Sequence, residues 1–109
     1  MDTNSGARLS IVPYKAKPGK EADLMALVKQ HVPYLRSIGL ATEREHIVAR
    51  ASNSTMLEIF EWAEGGLERA HAHAGVGELW TSFAAVCDFV PLQTLDETAM
   101  MFANFVPVN

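Results

Sequence analysis

Cys87 is the only cysteine in 109 residues. One cysteine forms no intrachain disulfide and builds no cysteine-based zinc site within a single chain. Such usage fits a reducing cytoplasm, the expected location. Cations are scarce as well: nine Lys and Arg stand against thirteen Asp and Glu, for a formal net charge of -4. There is no basic block, so nucleic acid is not an expected partner, and there is no acidic tail. No apolar run approaches the about 20 residues that span a membrane. Residues 1–6 (MDTNSG) contain no apolar h-region, so no signal peptide is expected. They read as a disordered lead-in. Phosphate loops rich in glycine, GxSxG elbows, CxxC pairs and HExxH zinc motifs are all missing. Neither a metal nor a cofactor is therefore expected from motifs.

What is present is about half hydrophobic, 49%, which suits one domain over residues 7–109. Residues 7–14 read as a strand with Leu9 and Ile11 on one face and Ser10, Val12 and Tyr14 on the other. Pro13 has no N–H to give a neighbour and argues for an edge position or a strand end. A helix follows over 19–38, with Leu24, Leu27, Val28, His31, Leu35 and Ile38 at helical spacing. Pro33 should kink or split it, and Gly39 should stop it. Residues 40–52 and 55–63 read as a hairpin about Asn53-Ser54, a two-residue turn. That loop would pair Val48 with Ile59, Arg50 with Leu57 and His46 with Glu61 on one face. On the other it would pair Ala49 with Glu58, Ala51 with Met56 and Ile47 with Phe60. Residues 64–74 are a short helical or turn segment ended by Gly75. A clear helix follows over 76–88, then a strand at 89–95, a helical turn at 96–101 and an apolar extended tail at 102–109.

The order strand, helix, strand, strand, helix, strand predicts an α+β fold of the ferredoxin-like βαββαβ kind, an antiparallel sheet with helices on one face. The bare face and the tail then need cover, which a second copy would supply as a homodimer.

Several stretches carry a family resemblance. They are Lys17-Pro18-Gly19-Lys20, Gly39-Leu40, Leu57-Glu58-Ile59-Phe60-Glu61-Trp62, Ala70-His71 and Leu79-Trp80. Over residues 7–108 the chain resembles the dimeric α+β barrel superfamily, and within it the antibiotic-biosynthesis-monooxygenase-like domains. The resemblance implies a dimeric α+β barrel. That family includes cofactor-free oxygenases of aromatic polyketides, haem-degrading enzymes and domains with no known activity, so the fold does not decide the function.

Glu58 is the sharpest candidate. On the pairing above it sits among Ala49, Ala51, Ile47, Met56, Phe60 and Trp62, facing the helices. A carboxyl there must be hydrogen-bonded or act as a displaced acid or base. The alternative is a structural tie to a buried His or Tyr. His31, on the apolar stripe of the first helix, is placed to meet it, either as a proton-transfer partner or as a core histidine held by one hydrogen bond. His71 and His73 are two residues apart, so a helix turns them to different faces and they do not bind one metal together. His71 is taken as the one pointing into the site. The candidate catalytic residues are thus Glu58, His31 and His71. Trp62, Trp80, Phe60, Phe83, Tyr34 and His73 are the candidate substrate contacts, with Met25 and Met56 beside them, although aromatics at such spacing also make plain core. Arg44, Arg50 and His46 share one strand face and are expected to form cross-dimer ion pairs with Glu61 in preference to steering an anionic ligand. Cys87 reads as an inert core residue.

Three functions follow. The first, implied mainly by the resemblance, is a cofactor-independent monooxygenase acting on a small aromatic or polyketide-like molecule. The second is haem binding or degradation, for which the Trp62-to-His71 spacing speaks. Against it, Ser10, Val12 and Tyr14 stand where haem-degrading relatives carry Asn. The third is a non-catalytic ligand-binding or stress-related dimer.

Overall fold

The computed structural model describes residues 6–109. The proposed lead-in falls outside them, except for Gly6, which forms a turn against Glu64. The chain is an α+β fold. Strand β1 (Arg8–Ala16) leads to helix α1 (Glu21–Ser37), then to strands β2 (Ile47–Arg50) and β3 (Met56–Trp62). Helices α2 (Gly66–His71) and α3 (Ala74–Val86) follow, then β4 (Cys87–Phe89), two 3-10 turns at Leu92–Thr94 and Asp96–Ala99, and β5 (Val106–Pro107). The strands form one sheet in the order β4-β1-β3-β2-β5, every neighbour antiparallel.

The face expected to be covered is covered. Leu24, Val28, His31, Val32 and Leu35 of α1 and Val76 and Phe83 of α3 are buried. They pack with Tyr14, Met56, Phe60 and Trp62 of the sheet. Pro33 does not split α1, which runs unbroken through it. Pro33 and Lys29, the residue whose carbonyl loses its donor, are both exposed, so solvent can take that bond. Gly39, at φ +77°, ends the helix as expected.

Pro13 does not mark an edge, because β1 lies between β4 and β3. In an antiparallel strand the N–H and C=O of one residue point to the same side. The Pro13 carbonyl accepts from the Val90 N–H at 3.3 Å. Its missing donor therefore faces the end of the short β4, and the ladder to β3 is intact.

The β2–β3 register differs from the sequence reading by one residue. Val48 pairs with Glu58, Ala49 with Leu57, Ile47 with Ile59 and Arg50 with Met56. The turn is three residues long, Ser52 to Ser54, closed by the Ala51 N–H donating to the Thr55 carbonyl at 2.8 Å. Asn53 does not take the left-handed conformation that a two-residue turn would ask of it. Its Oδ1 instead accepts the Thr55 N–H at 3.0 Å, and Ser54 carries the positive φ of 73°. A three-residue hairpin ending in a left-handed residue is the next most favoured geometry. The slip moves Ala49, Ala51 and Ile47 to the face away from the helices and puts Val48 beside Glu58. The residues of β3 keep their faces, since alternation within a strand does not depend on its partner.

Part of the other face is covered by the chain itself. Leu95 is buried against Ala49, Ala51 and Leu57, with Phe105 beside it. Glu97, also buried, accepts the Ser52 N–H on Oε2 at 2.7 Å and so ties the C-terminal segment to the hairpin turn. That backbone bond is the main reason its carboxyl is held below the usual carboxylate range. The tail is thus partly self-docked: Val108 donates to the Val48 carbonyl at 2.8 Å, and the Asn109 side chain caps the Val48 N–H at 2.8 Å. The second helix is shorter and ends earlier than expected, and Gly75 lies inside the first turn of α3 rather than between the helices. The last strand of the reading, at 89–95, is displaced: β4 occupies Cys87–Phe89, and 3-10 structure follows Pro91.

A Ser54→Gly variant should be more stable by about 0.5–1 kcal/mol, because glycine adopts the left-handed turn position without steric cost. Urea unfolding checks this. A loss of stability would argue against the three-residue turn.

Candidate functional site

Glu58 lies on the middle strand of the five, with Val12 and Val48 across from it on either side. It is 0% exposed. A carboxyl removed from water on an apolar sheet face needs donors, and the fold provides two. The Tyr14 hydroxyl reaches diagonally across from β1 and donates to Oε1 at 2.8 Å. From α1 above, His31 Nδ1 meets the same oxygen at 2.7 Å. Oε2 has no partner among the described residues.

The far side of His31 fixes its tautomer. Trp80 Nε1–H lies 3.0 Å from His31 Nε2. An indole N–H only donates, so Nε2 accepts and the ring proton sits on Nδ1, pointing at Glu58. The imidazole is thereby held in one orientation. It is also edge-packed against Phe60, at 5.6 Å between ring centres, and Phe83, at 5.1 Å. Tyr14 stacks on the same Phe83 at 4.9 Å. Burial, then the charge and hydrogen bond of Glu58, push the Tyr14 hydroxyl far above the usual tyrosine range.

In front of this chain of polar groups is a cavity of about 310 Å³. Ser10, Val12, Tyr14, His31, Phe60, Trp62, Leu67, His71, Trp80 and Phe89 line it. Trp62 donates to Ser10 Oγ at 2.9 Å, which fixes the indole along one wall. His71, at the end of α2, is exposed and sits edge-on to Trp80 at 5.1 Å. Gly66 lets α2 come close enough for this. A Cβ there would stand 2.2 Å from the Leu40 carbonyl oxygen. No lysine or arginine is among the lining residues.

The candidates thus divide. His31, His71, Phe60, Trp62 and Trp80 come together at the cavity. Glu58 stands behind His31 and Tyr14 without lining it, and Phe83 is sealed beneath the same two rings. Tyr34 borders a separate depression with Gly75 and Glu78. His73 caps α3, its Nδ1 accepting the Val76 N–H at 3.2 Å. Met25 and Met56 border a third depression with Arg50. Arg44 pairs with Glu61 within the chain at 3.1 Å, so this ion pair needs no second subunit. Cys87 is buried, and burial followed by the charge of Asp88 pushes its thiol up to about 11, with Lys17 opposing. It is a poor nucleophile at neutral pH.

Tyr14, Ser10, Leu67 and Phe89 are site residues that the sequence reading did not select. Tyr14 and Ser10 were legible in principle, since both alternate with Leu9 and Ile11 onto the helix-covered face. Phe89 was placed in a strand but not at the site, because its strand begins two residues earlier than expected.

Among the described residues no cluster of three or more His, Cys, Asp or Glu could hold a metal, and no helix is long and apolar enough to cross a membrane. The cavity volume lies at the small end of the about 300–1,000 Å³ range of small-molecule sites. No family model matches the chain, and no curated protein or solved structure matches it either.

Because the Tyr14 hydroxyl titrates above its ordinary value of 10.0, the stability it contributes is whole below that pH. That stability falls as the pH climbs past it, where the unfolded chain loses a proton that the folded chain keeps. Unfolding free energies measured from pH about 8 to about 11 should fall on the alkaline side in the native chain. Tyr14→Phe should remove its share of that fall, leaving the share of the Cys87 thiol, while lowering stability at neutral pH by about 1–2 kcal/mol.

Proposed function

We propose that the chain binds a small, largely apolar aromatic molecule in the cavity, and that His31 acts there as a general base held by Glu58. A single observation carries this reading: His31 bridges a buried carboxyl, at 2.7 Å from Nδ1, and the cavity side, where Nε2 meets Trp80. A proton taken up at Nε2 leaves an imidazolium whose charge the carboxylate at Nδ1 offsets. The position of His31 in the cavity lining supports a base there, and the two hydrogen bonds fix the ring in one orientation.

The resemblance to the monooxygenase-like domains extends the reading to a cofactor-independent oxygenation. Deprotonation of an activated CH₂ flanked by aromatic rings gives a carbanion. The carbanion passes electrons to molecular oxygen and forms a C–O bond. Loss of water from the peroxide leaves a carbonyl, so that R₂CH₂ and O₂ become R₂C=O and H₂O. Trp62 and Trp80 flank the ring and keep water from the reacting carbon. No group but the substrate and oxygen is needed for the electron balance, and the lone buried Cys87 suits a reducing compartment such as the cytoplasm.

Oxygen uptake with a panel of neutral tricyclic carbon acids tests this. His31→Gln and Glu58→Gln, checked for folding by circular dichroism, should each lower the rate by about a hundredfold or more. Ligand binding with no oxygen uptake from any compound would leave the chain a non-catalytic binding domain and overturn the enzymatic reading.

A ferredoxin-like arrangement is supported by the order β4-β1-β3-β2, with α1 and the α2–α3 pair as the two crossovers. The bare part of its sheet supports a two-fold dimer of the α+β barrel kind. Ile11, Ile59 and Ile47 stand in register across three strands. Ile11 is 46% exposed, Ile47 50% and the neighbouring Leu9 60%. A row of branched apolar residues on a sheet face is self-complementary about a two-fold axis and costly to leave in water. The exposed Met101 and Phe102 of the tail add to the apolar surface to be covered. Sedimentation equilibrium should return twice the 11.9 kDa chain mass for the native protein and the single-chain mass for Ile47→Lys. A monomeric native protein would remove the dimer from the proposal.

A further inference from the structure

The lone pair that a base needs is already taken. His31 Nε2 accepts the Trp80 indole N–H at 3.0 Å, and an imidazole nitrogen accepts one hydrogen bond in its ring plane. Trp80 is only half-buried: one side packs against the core, while the other lines the cavity and sits edge-on to the exposed His71. Phe83 and Phe60, by contrast, are fully buried against the imidazole and have no room to yield.

From this geometry we infer that Trp80 is a latch on His31, opened only by a neutral aromatic ligand that brings its own acidic O–H. The inference rests on the proposed role of His31 as the cavity base and makes Trp80 a positioning residue for it. A phenol or enol donates its hydrogen to Nε2 in place of the indole, so one hydrogen bond replaces another. An ether of the same shape has no hydrogen to offer and leaves the latch closed. A phenolate offers none either, and its charge meets a wall whose lining includes no lysine or arginine. The ligand class is therefore narrower than aromatic: an uncharged ring system with at least one free hydroxyl. Tyr14 does not supply a competing route, since its own hydroxyl proton is spent on Glu58.

The test uses 2-naphthol and its methyl ether, 2-methoxynaphthalene, at neutral pH with the ¹⁵N-labelled native chain. Trp62 and Trp80 are its two tryptophans, so it has two indole N–H signals, assigned with Trp62→Phe. Both probes should shift the Trp62 signal, reporting entry into the cavity. Only 2-naphthol should move the Trp80 N–H out of its hydrogen-bonded position and speed its exchange with solvent. In Trp80→Phe the preference for 2-naphthol over the ether should rise by about threefold to tenfold, because one neutral hydrogen bond no longer has to be broken. A merely structural Trp80 would change the affinity of both probes alike. If both probes shift Trp62 but the Trp80 signal ignores the hydroxyl, or the preference is unchanged in Trp80→Phe, the latch is overturned while the binding site stands. If neither probe shifts Trp62 at saturation, the binding reading fails and the latch falls with it.

Discussion

A carboxyl at the centre of the sheet organises this protein. Glu58 sits on the middle strand between two valines, fully out of water. An unpaired carboxyl there would cost several kcal/mol, so β1 and α1 must each bring a polar group to it. That requirement sets the diagonal reach of Tyr14 and the turn of α1 on which His31 lies. Phe83 then packs on both rings at once, and Trp80 closes the far nitrogen of the imidazole. Four elements therefore converge on one oxygen atom and the ring behind it.

The same constraint separates the two sides of the sheet. The helix-covered side carries the polar chain and the cavity, and its wall is aromatic. On the opposite side the buried acid comes from the C-terminal segment, Glu97, and the Ser52 N–H holds it. That side is apolar, half covered by the returning C-terminal segment through Leu95 and Phe105, and bare along the isoleucine row. A ligand site and an assembly surface on opposite faces of one small sheet can change independently. They meet in β1 and β3, whose alternate residues serve one face and then the other.

How much of this was legible depends on the range of the signal. Alternation in β1 and β3 assigned Glu58, Phe60 and Trp62 to one face correctly, because a strand's own period needs no partner. The 3.6-residue stripe of α1 placed His31 toward the sheet for the same reason. The β2 register was not legible, because Asn53 and Ser54 both tolerate a positive φ and only the Asn53 side-chain bond to Thr55 selects Ser54. The reading of Glu58 survived that slip because it rests on β3. The neighbours assigned to it from β2 did not. Tyr34 and His73 showed the limit of spacing: each lies near the site in sequence, yet one borders another depression and the other is consumed in capping a helix.

From the sequence alone, then, came the α+β class with its antiparallel sheet, the faces of the long elements and the presence of an acid and a histidine among apolar residues. These are local properties, written in residue type and periodicity over a few turns. The tertiary structure decided which oxygen of which acid meets which nitrogen, that Tyr14 shares it, and that Trp80 takes the other side of the imidazole. Such contacts join residues 27, 44 and 49 positions apart. No local pattern encodes a hydrogen-bond direction across that separation. It is set only when the helices settle on the sheet and each buried donor must find its acceptor.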